Sequence, residues 1–194
     1  MNFDKREFVA VFFEGHITFF KPSDEHSYSY FGGPLGLFDE SSLGDSHLHR
    51  LLTLHFADIP SFEQRYIFHI PLFYGITHDG CTMQYVAKSD HEIQTIDIHP
   101  PTATANWPYS NYPLILPYVP LQVSRSLQAS YEEFAELFIQ EAPAFSSDNL
   151  VVLLAPPPPI GVSLWGPDMD MGYVQIVFEY ALTTKTISVS NQCD

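Results

Sequence analysis

Ser130-Tyr131-Glu132-Glu133-Phe134-Ala135-Glu136-Leu137-Phe138-Ile139-Gln140-Glu141-Ala142-Pro143 is the stretch on which the fold class turns. Ser130 with Glu133 three residues later forms a capping box, in which hydroxyl and carboxylate satisfy each other's backbone donors at the start of a helix. Tyr131, Phe134, Ala135, Phe138 and Ala142 recur at three-and-four spacing with Leu137 beside them, which is one apolar face. Pro143 cannot continue a helix. The pattern predicts one amphipathic helix over 131–142, packed on a sheet through Tyr131, Phe134 and Phe138. Its remaining surface carries Glu132, Glu133, Glu136 and Glu141 without a Lys or Arg, so it has no ion pairs of its own, and Glu141 sits against the negative end of the helix dipole.

Outward from that helix the chain reads as strands. Residues 8–20 are β-branched and aromatic on either side of Glu14-Gly15, as in a hairpin. Pro22 to Gly36 reads as a loop containing Phe31-Gly32-Gly33-Pro34, with backbone freedom at two adjacent glycines. Residues 46–59 fit a helical period through Leu48, Leu51, Leu52 and Phe56, and equally a strand period through Leu52, Leu54 and Phe56. Arg65 to Tyr74, Thr82 to Ala87 and Glu92 to His99 are short runs separated by Gly75, His78-Asp79-Gly80 and Ser89-Asp90, the spacing of consecutive antiparallel strands. Pro100 to Pro120 is too rich in proline for central strands or helices and reads as an extended surface crossing. Leu150 to Leu154 reads as a strand, Pro156 to Pro159 as a stiff spacer, and Tyr173 to Val189 as a long strand or hairpin. Together these predict an α+β fold, mostly antiparallel sheet with the 131–142 helix on it, in a single domain over 1–194.

Charge narrows function. There are 23 Asp and Glu against 8 Lys and Arg, a net charge of -15, in a chain of 194 residues. Nucleic acid and anionic lipid are polyanions, so neither is an expected partner. No stretch approaches the roughly 20 apolar residues that cross a bilayer. The N-terminus, Met1-Asn2-Phe3-Asp4-Lys5-Arg6-Glu7, is unlike a signal peptide, and Cys81 and Cys193 imply no disulfide framework, so a reduced, cytoplasmic setting is expected.

Candidate chemistry is sparse. His47, His49 and His55 could supply a three-ligand metal set, since imidazoles at i and i+2 leave one strand face together. The pair resembles half of a cupin site, but Thr53 stands where that site has Glu, and no Pro-x-Gly-x-x-His element follows. Surface histidines are the preferred reading, and no cofactor is expected. Cys81 follows His78-Asp79-Gly80, which is ordinary turn chemistry before a strand rather than an activated thiol. Asp168-Met169-Asp170-Met171-Gly172 lacks the closing carboxylates of a calcium loop and reads as a tight turn. More telling are Trp107, Tyr109, Tyr112 and Tyr118 among Pro108, Pro113, Pro117 and Pro120. Aromatics on stiff backbone lose little entropy on binding and are common contact hot spots, although covering a sheet face is the preferred reading.

Two family resemblances follow. Tyr30-Phe31-Gly32-Gly33-Pro34-Leu35, Leu51 to Pro60 and Ile70-Pro71-Leu72-Phe73-Tyr74 resemble the Gly-Gly-x-Pro and strand order of YwqG-like proteins, which implies a mostly β fold with no established activity. Pro71 to Gly75 with Asp79-Gly80, Ile96-Asp97-Ile98-His99 and Ser130 to Phe134 resemble the second half of the superfamily of fungal cell-wall-assembly regulators and bacterial immunity proteins. The expectation is a binding module without catalysis, meeting a basic protein through Glu132, Glu133 and Glu136 and through Trp107, Tyr109 and Tyr112. An immunity or inhibitor role is one form of this. The rival is a small-molecule or metal-dependent enzyme using His47, His49 and His55.

Overall fold

The computed structural model describes residues 1–33, 48–60, 62, 69–89, 92–146, 148–155, 164–165 and 174–193, without the side chains of Glu92 and Cys193. His47, Pro156 to Pro159 and Asp168 to Gly172 lie outside these.

Among the described residues, eleven strands make one antiparallel sheet: β1 Val9–Phe13, β2 His16–Pro22, β3 Tyr30–Phe31, β4 His49–His55, β5 His69–Tyr74, β6 Thr82–Ser89, β7 Glu92–His99, β8 Val119–Gln128, β9 Leu150–Leu154, β10 Val174–Ala181 and β11 Thr186–Cys193. Their order is β5-β4-β3-β8-β2-β1-β9-β10-β11-β6-β7, curled into a half-barrel. The first hairpin turns at Glu14 and Gly15, both at positive φ as a two-residue turn between twisted strands requires. The period ambiguity at 46–59 resolves as β4 followed by a single 3-10 turn, Phe56–Asp58.

Expectation and structure part at the helix. Only Tyr131–Ala135 is helical, and no helix of seven or more residues occurs among the described residues, so the fold is all but entirely β rather than α+β. The capping box forms, with Ser130 and Glu133 each taking the other's backbone N–H. The chain then tightens: Leu137 and Phe138 donate to carbonyls three residues back, and Gln175 of β10 takes what a longer helix needed. Its amide accepts from Ile139 N–H at 2.8 Å and donates to the Leu137 carbonyl at 2.7 Å. The buried Gln175 amide takes the place of the next helical turn because it satisfies both backbone groups at once.

The apolar face still packs as expected. Phe134 stacks on Phe12 at 5.2 Å, with Tyr131 and Phe138 edge-on around them. These residues, with Ala10, Ile17, Phe19, Val151, Leu153 and Val177, cover the outer face of the sheet's middle. The larger core fills the concave side, where Val9, Val11 and Phe13, Leu150, Val152 and Leu154, and Ile176, Phe178 and Tyr180 meet residues of β4, β5 and β6. Hence β1 and β9 are unbroken apolar runs, covered on both faces, while β6 alternates Met83, Tyr85 and Ala87 inward with Thr82, Gln84 and Lys88 outward. Among the described residues no helix is long and apolar enough to cross a membrane.

At the seam between β5 and β6, the Tyr85 hydroxyl donates to the Pro71 carbonyl at 3.0 Å and accepts from Phe73 N–H at 2.9 Å. The side chain thus does for β5's outer edge what a neighbouring strand would.

Candidate binding cleft

The proline-rich crossing lies between β7 and β8, and its backbone is held at four places. Pro100 accepts from His78 Nδ1 at 2.9 Å, and Thr104 N–H donates to the Thr77 carbonyl at 2.7 Å. Pro113 accepts from His49 Nε2 at 3.0 Å, and Leu116 accepts from Gly33 N–H at 3.0 Å. Carbonyls need donors, so these contacts place a proton on Nδ1 of His78 and on Nε2 of His49. The seat is close: a Cβ on Gly32, at φ +62, would stand 2.2 Å from the Pro117 carbonyl oxygen. That is what the Gly-Gly pair provides, room for the crossing to lie against β3.

Held this way, the crossing folds its aromatics together. Trp107, Tyr109 and Tyr112 line one cleft of about 310 Å³ with Thr77, Asn106 and Asn111. The rings of Tyr109 and Tyr112 lie 5.0 Å apart, and Tyr112 meets the buried His49 ring edge-on at 5.0 Å. Asn106 and Asn111 both have positive φ, a conformation that Asn tolerates better than most residues. Among the described residues, no Asp, Glu, Lys, Arg or His lines the cleft. Three of its residues hold polar atoms shut off from solvent with no hydrogen-bond partner: Thr77 Oγ1, Trp107 Nε1 and Tyr112 Oη. Each such atom costs about 1–3 kcal/mol relative to a satisfied one. Burial, and then the neighbouring Tyr109, push the Tyr112 hydroxyl far above its ordinary value, so it stays a neutral donor.

No family model matches this chain, and no curated protein or solved structure matches it.

The aromatic trio is therefore brought together, but half-buried rather than protruding. What protrudes is a strip beside it: Leu114 is 68% exposed, Ile115 53%, Tyr118 42% and Tyr28 67%. Leu114 also lines the cleft, and Tyr118 reaches Tyr28 through His26, whose ring lies 6.5 Å and 6.2 Å from theirs. Tyr28 in turn lies 5.3 Å from His55, which pairs across the strands with His69 at 5.1 Å. Asp24 and Glu25 border the strip, both exposed. Its signal was the Leu114-Ile115-Leu116 interruption of the proline run, with Leu116 alone turned into the core.

The glutamate face is less free than its sequence implies. Glu133 is committed to the capping box, and Glu136 pairs with the Met1 ammonium. Glu132 is left to solvent, with hydrogen bonds from its own backbone and Ser130 holding its carboxyl low.

The histidine set does not converge. His49 is buried beneath the crossing, while His55 lies at the other end of β4, six residues or about 20 Å along an extended strand. His47 lies outside the described residues. Among the described residues, no three His, Cys, Asp or Glu side chains group as a metal site. Cys81 is a buried free thiol that burial pushes up to about 11, an environment opposite to that of an activated nucleophile.

Sequence reading did not mark Arg50, now buried with Nη1 donating to the Tyr30 hydroxyl at 2.9 Å and its guanidinium over Phe73 at 5.6 Å. A lone Arg in the apolar run Leu48 to Leu52 was its signal. Thr77 was also missed, since nothing local ties a turn threonine to a crossing thirty residues on.

Proposed function

We propose that the chain is a binding module for another protein, a basic one, engaged through the exposed strip Leu114, Ile115, Tyr118 and Tyr28. The observation that carries this reading is the strip itself: four large apolar side chains in solvent, of which Leu114, Ile115 and Tyr118 stand on a backbone held by His49, His78 and the Gly32-Gly33 seat. Ordering costs little there because the backbone is already ordered, and exposed aromatics of this kind are favoured as anchors. Asp24, Glu25 and the net charge of -15 supply attraction toward a cationic surface. An inhibitor or immunity role against a cationic partner fits this chemistry, and so does a reduced, cytoplasmic setting in which Cys81 remains a thiol.

The test is capture from cells of the source, followed by association kinetics with the captured protein. Replacing Ile115 and Tyr118 with Ser should raise the dissociation rate. Exchanging Asp24 and Glu25 for Lys should slow association and flatten its salt dependence. Partners retained unchanged by both folded variants, or partners that are themselves acidic, would reject the reading.

A further inference from the structure

We infer that the cleft of Trp107, Tyr109 and Tyr112 is a binding site for a neutral saccharide. This goes beyond the protein-binding reading, and separate residues test the two.

The argument begins with what is missing from the lining. In a chain with 23 acidic residues, the described residues that wall the cleft are Thr, Asn, Ala, Leu, Trp and Tyr alone. Two other clefts among the described residues are not so walled: one, near β10 and β11, includes Asp97 and Glu179, and one beside the helix includes Glu14. A site without charge selects an uncharged ligand, because an ion moved there would lose water without gaining a partner. The aromatic rings call for an apolar face, and the C–H face of a pyranose, slightly positive, suits the negative face of a π-system.

The polar groups narrow the choice further. Thr104, Asn106 and Asn111 are exposed along the lining, and the threonine hydroxyl both donates and accepts. Asn106 and Asn111 add amides of both kinds at the rim. A ligand that satisfies donors and acceptors along one cleft must itself do both repeatedly, and sugar hydroxyls do. A proline-rich peptide offers acceptors only, and a quaternary ammonium offers neither. The volume of about 310 Å³ accommodates one or two sugar rings.

The protein has two tryptophans, so Trp165→Phe leaves Trp107 as the sole reporter. Its fluorescence would be titrated with methyl glucopyranosides, galactose, mannose, N-acetylglucosamine, cellobiose and maltose. Choline and a decaproline peptide serve as competitors in class. Saturation-transfer NMR on the unaltered chain repeats the measurement if Trp165→Phe folds poorly. The expected result is saturable binding of at least one saccharide in the millimolar range, unchanged by added salt. Trp107→Ala should weaken it at least about tenfold. Thr104→Val, which keeps the shape, should weaken it about three- to tenfold. Ile115→Ser should leave it unchanged. No response to any saccharide, a response to choline or decaproline instead, binding abolished by salt, or indifference to Trp107→Ala in folded protein would each overturn the assignment.

Discussion

Replacing Tyr85 with Phe removes one oxygen and should open the seam of the half-barrel. Strands β5 and β6 are not ladder neighbours in the sheet, and the Tyr85 hydroxyl bridges them by pairing with the Pro71 carbonyl and the Phe73 N–H. Both backbone groups point away from β4 and are buried, so water cannot replace the lost hydroxyl without the seam parting. Two buried backbone groups left without partners cost about 1–3 kcal/mol each, so the variant should lose about 2–4 kcal/mol once the easier burial of Phe is allowed for. With a urea dependence of about 2–3 kcal/mol/M for a chain this size, the unfolding midpoint should fall by about 0.7 to 2 M. Melting should drop by roughly 5–15 °C. Hydrogen exchange reports the mechanism as well as the loss: the Phe73 amide should become one of the faster core amides, while amides of β1 and β9 keep their protection. A midpoint within about 0.3 M of the parent, with Phe73 still protected, would refute the claim that this hydroxyl holds the edge of β5.

Other expectations are briefer. Arg125 grips the buried Glu7 carboxylate with Nε and Nη2 at 3.2 and 2.9 Å and lies over Phe19 at 4.1 Å. Burial raises the Glu7 carboxyl, but hydrogen bonds from Arg125, Asp4 N–H and Ser124 outweigh it and hold the group below 4.5. Its contribution is thus full above that value and lost as pH falls through the lower folded one, so Glu7→Gln should cost about 1–3 kcal/mol at neutral pH and show a flatter decline in acid, as read by urea melts. In a Cys193→Ser background, Cys81 should react with a thiol reagent only as fast as the protein unfolds, and rapid labelling of native protein would contradict its burial. Gly32→Ala should lift the crossing from β3 and speed proteolysis between 100 and 118, since the added Cβ meets a backbone oxygen rather than a yielding side chain. Far-ultraviolet circular dichroism should show strand with little helix.

The structure also alters how the acidic surface should be probed. Reversing Glu132, Glu133 and Glu136 together would disturb the capping box and the pairing with Met1 as well as any interface. Asp24 and Glu25, beside the strip, are the cleaner pair.

Much of the local structure follows from the chain alone. Its alternating or unbroken apolar runs determine strands at β1, β2, β6, β7, β9, β10 and β11, because side-chain period is a property of the strand itself. Ser130 and Glu133 determine a helix start for the same reason, as capping is complete within four residues. Where that helix stops was decided by Gln175, 36 residues beyond Ile139, whose amide captured the backbone before a second turn could form. The short β3 and proline-bearing β8 exist because they fill the gap between β4 and β2, which no local pattern records. The cleft divides the same way. Trp107, Tyr109 and Tyr112 stand out by residue type, but whether rings on stiff backbone gather or scatter depended on His49, His78 and Gly33 gripping carbonyls far away in sequence. Hydrogen bonds of that range form only once the sheet has curled, so residue types set the candidates and the closed sheet chose among them.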